Sequence, residues 1–292
     1  MKLDAALFNL DVTLCCGQVF RWDKKGDWWY GVVRDKVLKI RQVKAELEFG
    51  NADEKFVECY FGLDDDLQEI RDEIGKDKQI KEALREFWGL RIIRQDPWEC
   101  LISYICATYK SIAAIKGMLL KLSQKFGEKI TFDRCDFYTF PPPGKLANAA
   151  EKSLAECGLG YRAKYVLETA KKIYSKDFEL EHLKQLPYEQ AKKELVTLPG
   201  VGLKVADCIL LFSLGKLEAF PVDVWMQRVI LNHYAKELPN ELIQKISKQD
   251  SLSNGEYAKL NEFGRNYFGE YAGYAQEYLY HYERMLPKNG AL

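Results

Sequence analysis

The sequence predicts an α+β chain: an N-terminal antiparallel β-sheet domain followed by a mostly α-helical, two-lobed region. Three observations lead there. Between residues 17 and 50, short runs alternate apolar and polar side chains and are separated by turn residues. From about residue 53 the apolar spacing becomes that of a helix. Strands come first and helices after, an order that does not build a parallel βαβ sheet.

Gln18-Val19-Phe20-Arg21-Trp22 and Val37-Leu38-Lys39-Ile40-Arg41 alternate, and Trp28-Trp29-Tyr30-Gly31-Val32-Val33 is aromatic and β-branched. Gly26-Asp27 and Asp35-Lys36 supply turn chemistry between them. The sheet domain, with flanking helices, is expected over 1–95, and the helical region over 96–292. Asp96-Pro97 reads as a cap and a first-turn proline, with Trp98, Leu101, Ile102 and Ile105 on one face. Ser111 caps a second helix striped by Ile112, Ile115, Leu119 and Leu122 and ended by Gly127. Pro141-Pro142-Pro143-Gly144 breaks the pattern. Helical patterns resume near 145–157, 161–175, 179–186, 189–197, 203–214, 222–235, 240–249, 256–268 and 272–285. The irregular loop before residue 145 suggests that helices 97–126 form one lobe and the later helices another.

At 292 residues the chain is long enough for about two units and a full core. It is 47% hydrophobic and 29% charged, a globular composition. No apolar run reaches the roughly 20 residues of a membrane span, and no export signal opens the chain. Lys+Arg and Asp+Glu both number 43, which argues against a globally basic nucleic-acid binder but leaves room for a local patch. The eight cysteines are scattered, with no C-x-x-C pair, and the three histidines are far apart. Free thiols in a reducing compartment are expected, cytoplasmic in a prokaryote and nuclear in the alternative. A local transition-metal site is not expected.

The stretch that carries chemistry is Leu198-Pro199-Gly200-Val201-Gly202-Leu203-Lys204-Val205-Ala206-Asp207-Cys208. Helical segments flank a tight Pro-Gly-x-Gly turn, giving a helix-hairpin-helix over about 189–214. Gly200 and Gly202 permit positive φ and close approach of another backbone. The turn feeds amide N–H groups into a helix N-terminus, which binds anions such as phosphate. A plain helix–turn–helix corner explains the glycines equally well. Residues 189–235 hold five basic and five acidic side chains, so amide dipoles rather than net charge would hold the phosphate. Lys204 opens the second helix, where the dipole and burial are expected to lower its pKa and leave a nucleophilic amine. Asp223, just after Pro221, sits at an expected helix N-cap.

These residues, followed by Pro221-Val222-Asp223-Val224, resemble the helix-hairpin-helix DNA glycosylases, and within them the 8-oxoguanine DNA glycosylase/AP lyase branch. Gly17-Gln18-Val19-Phe20-Arg21-Trp22 is similar to that family's base-reading segment. Arg94 to Leu101 and Gly158 to Tyr165 are similar to two of its inner helix starts, and Tyr271 to Gln276 to its pocket helix. The last cysteine is Cys208, so the iron–sulfur relatives with their C-terminal cysteine cluster fit less well.

The resemblance implies base flipping and excision in duplex DNA by a monomer that needs no catalytic cofactor. Lys204 would attack C1′ and the imine would permit β-elimination, with Asp223 facing the sugar cation. For base recognition it implies the Gly17 carbonyl on N7–H, Gln276 on the Watson–Crick edge, and Cys208 and Tyr280 as the two sides of a sandwich. For DNA binding it implies Gly200, Gly202, Tyr109, Tyr161 and Arg162, and it implies a possible structural cation on the carbonyls of Val196, Leu198 and Val201. Two basic stretches, 110–129 and 162–176, are expected to face DNA, and the acidic run Asp64-Asp65-Asp66 to point away. The family's asparagine and first opposite-base arginine fall on Tyr109 and Ala114, so a relaxed opposite-base preference is expected. Two alternatives remain: a monofunctional glycosylase for another damaged purine, which needs Asp223 but no lysine at 204, and a non-enzymatic DNA-binding protein.

Overall fold

The computed structural model describes residues 1–249 and 251–286; residues 287–292 of the expected helical region lie outside the described residues. Five strands form one antiparallel sheet: β1 (Lys2–Asp4), β2 (Trp22–Lys25), β3 (Trp28–Val33), β4 (Lys36–Val43) and β5 (Glu46–Gly50). Their order is β1-β5-β4-β3-β2. The β2–β3 and β3–β4 links are two-residue turns in which Gly26 and Arg34 take positive φ, as tight hairpins require. The sheet's inner face buries Trp22, Trp29, Leu38, Ile40, Leu47 and Phe49 against Phe8, Tyr60 and Phe61. Trp22 lies flat over Gly31, where a Cβ would fall 2.3 Å from the indole.

The alternation at 18–22 does not make a strand until Trp22. Gln18 is instead fully buried and bridges backbones, donating to the Arg91 carbonyl at 2.8 Å and accepting from the Ile93 N–H at 2.7 Å. Those bonds fix the entry to the helix Pro97–Ala107. A further hairpin, β6 (Lys129–Phe132) with β7 (Cys135–Tyr138), was not expected, because four residues per strand are too few to show a period. It covers the sheet's other face, setting Ile130, Phe132 and Phe137 against Tyr30, Val32 and Val37. The short helix Leu10–Cys15, capped by Asn9, was also unexpected.

The expected caps form. Asp96 accepts from the Glu99 N–H at 3.0 Å and Ser111 from the Ala114 N–H at 3.3 Å. The helix read over 145–157 is instead three short pieces, Pro143–Ala147, Glu151–Leu154 and the π turn Ala155–Leu159, with Gly158 at φ +89°. The segment 179–186 is one 3-10 turn, Glu181–Gln185.

The lobes divide differently from the expectation. Arg162–Tyr174 and Leu203–Ser213 both pack on Pro97–Ala107, so the proline break does not separate two bodies. Trp98 Nε1 staples that break by donating to the Pro141 carbonyl at 2.9 Å. The other group centres on Ala272–Met285, which packs on Val224–His233, on Asn254–Phe268, and on Leu67–Ile74 and Lys78–Glu86 from before residue 96. The division therefore falls between Ser213 and Val224, and one continuous hydrophobic core joins both groups. The acidic run is consumed locally: Asp64 and Asp65 pair with Arg94, and Asp66 caps Leu67–Ile74.

Candidate active site

The hairpin joins Tyr188–Leu195 to Leu203–Ser213. Gly200 has φ +80°, and a Cβ there would lie 2.8 Å from Tyr165 Cβ, so only glycine fits. Gly202 does not use positive φ. It is the extended N-cap of the second helix, at φ −90°, with open space where a Cβ would stand. No side chain caps this helix, so its first-turn amides carry no side-chain partner. Thr169 steadies the turn by donating to the Pro199 carbonyl at 2.9 Å.

Lys204 and Cys208, one turn apart, project from this helix into a cavity that Asp223 reaches from the facing lobe. Asp223 caps Val224–His233, accepting from Trp225 and Met226 N–H at 3.0 and 2.9 Å. Lys204 Nζ lies 5.2 Å from the Tyr104 ring centroid. The expected depression of the Lys204 pKa does not occur. Burial does push it down, but the buried Asp223 and Glu277 carboxyls beside it push it up, and the balance leaves it above its ordinary value. Burial raises the Asp223 carboxyl, with Lys204 and the capping N–H groups opposing. Burial also pushes the Cys208 thiol up to about 12, so it is uncharged at neutral pH.

The opposite wall is built from the loop after Leu10–Cys15 and from Ala272–Met285. Gly17 has φ +114°, and a Cβ there would fall 2.6 Å from Arg284 Nη1. Arg284 holds that loop by donating to the Cys15 and Cys16 carbonyls, each at 2.7 Å. Gln276 and Tyr280 line the same cavity, and the buried Gln276 Oε1 has no hydrogen-bond partner. The structure thus brings Gly17, Lys204, Cys208, Asp223, Gln276 and Tyr280 together from four separate segments. Sequence reasoning missed Glu277 and Tyr104 in this cavity. An acid inside the apolar run Tyr274–Leu279 was the signal for Glu277.

Around the mouth, Tyr109 is 81% exposed with φ +53°, and Tyr161 is also exposed. Arg162 is not presented to solvent. It is 4% exposed, donates to the Thr108 carbonyl and lies 4.4 Å from the Tyr161 ring centroid. The basic stretches are only partly free: Lys116 donates to the Trp22 carbonyl and Lys125 pairs with Glu156, whereas Lys110 and Lys121 are exposed.

Residues 1–101 match the model of the 8-oxoguanine DNA glycosylase N-terminal domain, and residues 102–249 that of the HhH-GPD superfamily of base excision DNA repair proteins. The chain belongs to the 8-oxoguanine DNA glycosylase family of the HhH-GPD superfamily. It is 33% identical to the N-glycosylase/DNA lyase of Saccharomyces cerevisiae, over 96% of this chain and 83% of that protein. It is 30% identical to the N-glycosylase/DNA lyase OGG1 of Arabidopsis thaliana, over 96% and 78%. Among solved structures it resembles the Clostridium acetobutylicum 8-oxoguanine glycosylase/lyase in complex with double-stranded DNA containing cytosine opposite 8-oxoguanine. That match has 34% identity and a TM-score of 0.86, covering 96% of this chain and 92% of that one. Membership accounts for the five-stranded sheet in front of the helical region, since the two matched models meet inside helix Pro97–Ala107.

Proposed function

We propose that this chain excises 8-oxoguanine from duplex DNA and then cleaves the strand, as a bifunctional N-glycosylase/AP lyase of base excision repair. The observation that carries this reading is the shared cavity of Lys204 and Asp223, walled by Gly17 and Gln276. A flipped base enters that cavity while the hairpin amides hold phosphate at its rim. Lys204 first gives up a proton to solvent, which the groups that raise its pKa disfavour. Its free amine then forms a bond to C1′ as the electron pair of the C1′–N9 bond leaves with the base, and the proton shed by the new C1′–N bond goes to the departing purine. The Asp223 carboxylate faces the positive charge that develops on the sugar. The C1′–O4′ bond then opens as the Lys204 nitrogen lone pair forms a C=N bond to C1′, and O4′ takes a proton to become the C4′ hydroxyl. That imine acidifies C2′, whose proton leaves as the 3′ phosphate departs by β-elimination.

No step in this scheme passes through a cofactor. The Leu198 carbonyl accepts from the Val201 N–H at 3.1 Å and keeps a second lone pair. With the carbonyls of Val196 and Val201 it would hold a structural cation, which would supply positive charge beside the hairpin amides. Double-stranded DNA is the partner, and among the described residues no helix is long and apolar enough to cross a membrane. The test is strand incision of a duplex with one 8-oxoguanine, together with borohydride trapping. No incision and no trapped species would overturn the reading.

A further inference from the structure

Gln276 and Glu277 are consecutive on helix Ala272–Met285, both line the cavity, and they are 4% and 2% exposed. Oε1 of each is buried without a hydrogen-bond partner. Buried polar atoms are nearly always paired in a folded protein, so two bare oxygens from the lining of one cavity imply that something else pairs them. Among the described residues only the weak Cys16 thiol approaches the Glu277 carboxyl, and Oε1 stays bare. Arg284, the cation on the same helix, spends its guanidinium on the Cys15 and Cys16 carbonyls. Among the described residues no basic side chain forms an ion pair with Glu277.

Two acceptors lining one cavity match a base edge that carries two donors. A guanine-type purine offers N1–H beside its 2-amino group. An adenine-type purine offers an amino group beside a bare N1 lone pair, which a carboxylate oxygen repels. We propose that Glu277 determines specificity together with Gln276: the two accept the N1–H and 2-amino hydrogens of a guanine-type base. The inference rests on the excision activity proposed above and names a recognition group that Gln276 alone does not supply.

Burial sets the protonation of this group, pushing the Glu277 carboxyl up to about 7; Cys16, Arg284 and Lys204 lower it and Asp223 raises it. Tyr104 and Tyr280 also face it from helix Pro97–Ala107 and from its own helix. Donors from the base favour the ionised form, so a bound guanine edge draws Glu277 toward carboxylate.

The experiment compares single-turnover excision of 8-oxoguanine and of 8-oxohypoxanthine, which lacks only the 2-amino group, each opposite cytosine. In Glu277→Ala the ratio of the two rates is expected to fall by about tenfold or more, the scale of one lost base contact. Glu277→Gln keeps one acceptor oxygen and is expected to fall between Glu277→Ala and the unsubstituted protein. Borohydride trapping on a duplex with a preformed abasic site, where there is no base to read, should suffer far less than 8-oxoguanine excision. An unchanged ratio in Glu277→Ala overturns the proposal, and so does an equal loss on the abasic duplex, which would place Glu277 in the fold or in the lysine chemistry. An unsubstituted protein that is trapped at abasic sites but leaves 8-oxoguanine intact overturns the proposed substrate, and this inference with it.

Discussion

The Lys192 ammonium lies 2.9 Å from the carboxylate of Asp207, a residue with no solvent exposure. Asp207 also accepts from Tyr188 Oη at 2.6 Å, from Asn261 Nδ2 at 3.1 Å and from Tyr257 Oη. Asn261 donates to the Phe220 carbonyl at 2.8 Å, and Tyr257 Oη accepts from the Val222 N–H at 3.4 Å. One buried charge thus ties the helix that bears Lys204 to the segment that delivers Asp223. Lys192→Met leaves that carboxylate unpaired and is expected to cost about 3–5 kcal/mol in chemical denaturation. Removing the charge as well while keeping an acceptor for Tyr188 and Tyr257, as Lys192→Met with Asp207→Asn, should recover part of the loss. A single variant as stable as the unsubstituted protein would show that the pair contributes little.

Lys204→Gln should abolish borohydride trapping on 8-oxoguanine DNA while damaged-duplex binding survives. The substitution removes one charge and none of the hairpin amides, and phosphate contacts dominate affinity. Trapping at the unsubstituted level would remove Lys204 from the mechanism.

Asp223→Asn should slow single-turnover excision far more than it weakens DNA binding, because a carboxylate facing a transient cation acts in the transition state. Asparagine caps a helix about as well as aspartate, so the contacts to Trp225 and Met226 and the melting temperature should hold. Excision near the unsubstituted rate with intact binding would exclude the electrostatic role.

The elements legible in the sequence were those with long periods or strong punctuation. The caps at Asp96, Ser111 and Asp223 were readable because a capping side chain and its helix are neighbours in sequence. The four-residue strands of the β6–β7 hairpin were not, since their stability comes from Tyr30, Val32 and Val37 on a distant sheet. The division into lobes escaped for the same reason: Leu67–Ile74 and Lys78–Glu86 join Ala272–Met285 through contacts that no local pattern encodes. At the site, residue types at Lys204 and Gly17 pointed to chemistry, but the sign of the Lys204 shift depended on Asp223 and Glu277, which only the fold brings close.

Glu277 should make stability depend on pH in an unusual direction. Its folded pKa, about 7, lies above its ordinary 4.5, so the folded state binds the proton more tightly than the unfolded chain. Its contribution is therefore complete below about 4.5 and is lost as pH rises through 7. Glu277→Gln cannot ionise and should gain up to about 3 kcal/mol relative to the unsubstituted protein between about pH 5 and pH 8. Parallel stability–pH curves would refute the buried, titrating carboxyl.

By the resemblance, the opposite base is where this chain departs from the family's pattern, with Tyr109 assigned to the gap-filling position and Ala114 and Arg162 to the two arginine positions. Tyr109 is 81% exposed and in a left-handed backbone conformation. Its ring can stack in the space left by a flipped base, but stacking has little sequence preference. Ala114, at the first arginine position, offers no hydrogen bond. Arg162, at the second, is buried and already bonded to the Thr108 carbonyl, so gripping a cytosine requires breaking that bond. Each missing base contact forfeits roughly 1–3 kcal/mol of discrimination. Excision should therefore favour cytosine only modestly, with appreciable rates opposite adenine, guanine and thymine. Single-turnover rates with each of the four bases opposite 8-oxoguanine decide the matter. A cytosine preference above roughly a hundredfold, the scale of two intact contacts, would mean that Arg162 swings free and restores the choice with the Tyr109 hydroxyl. In that event Arg162→Ala should collapse the preference, whereas Tyr109→Phe should erode it only in part.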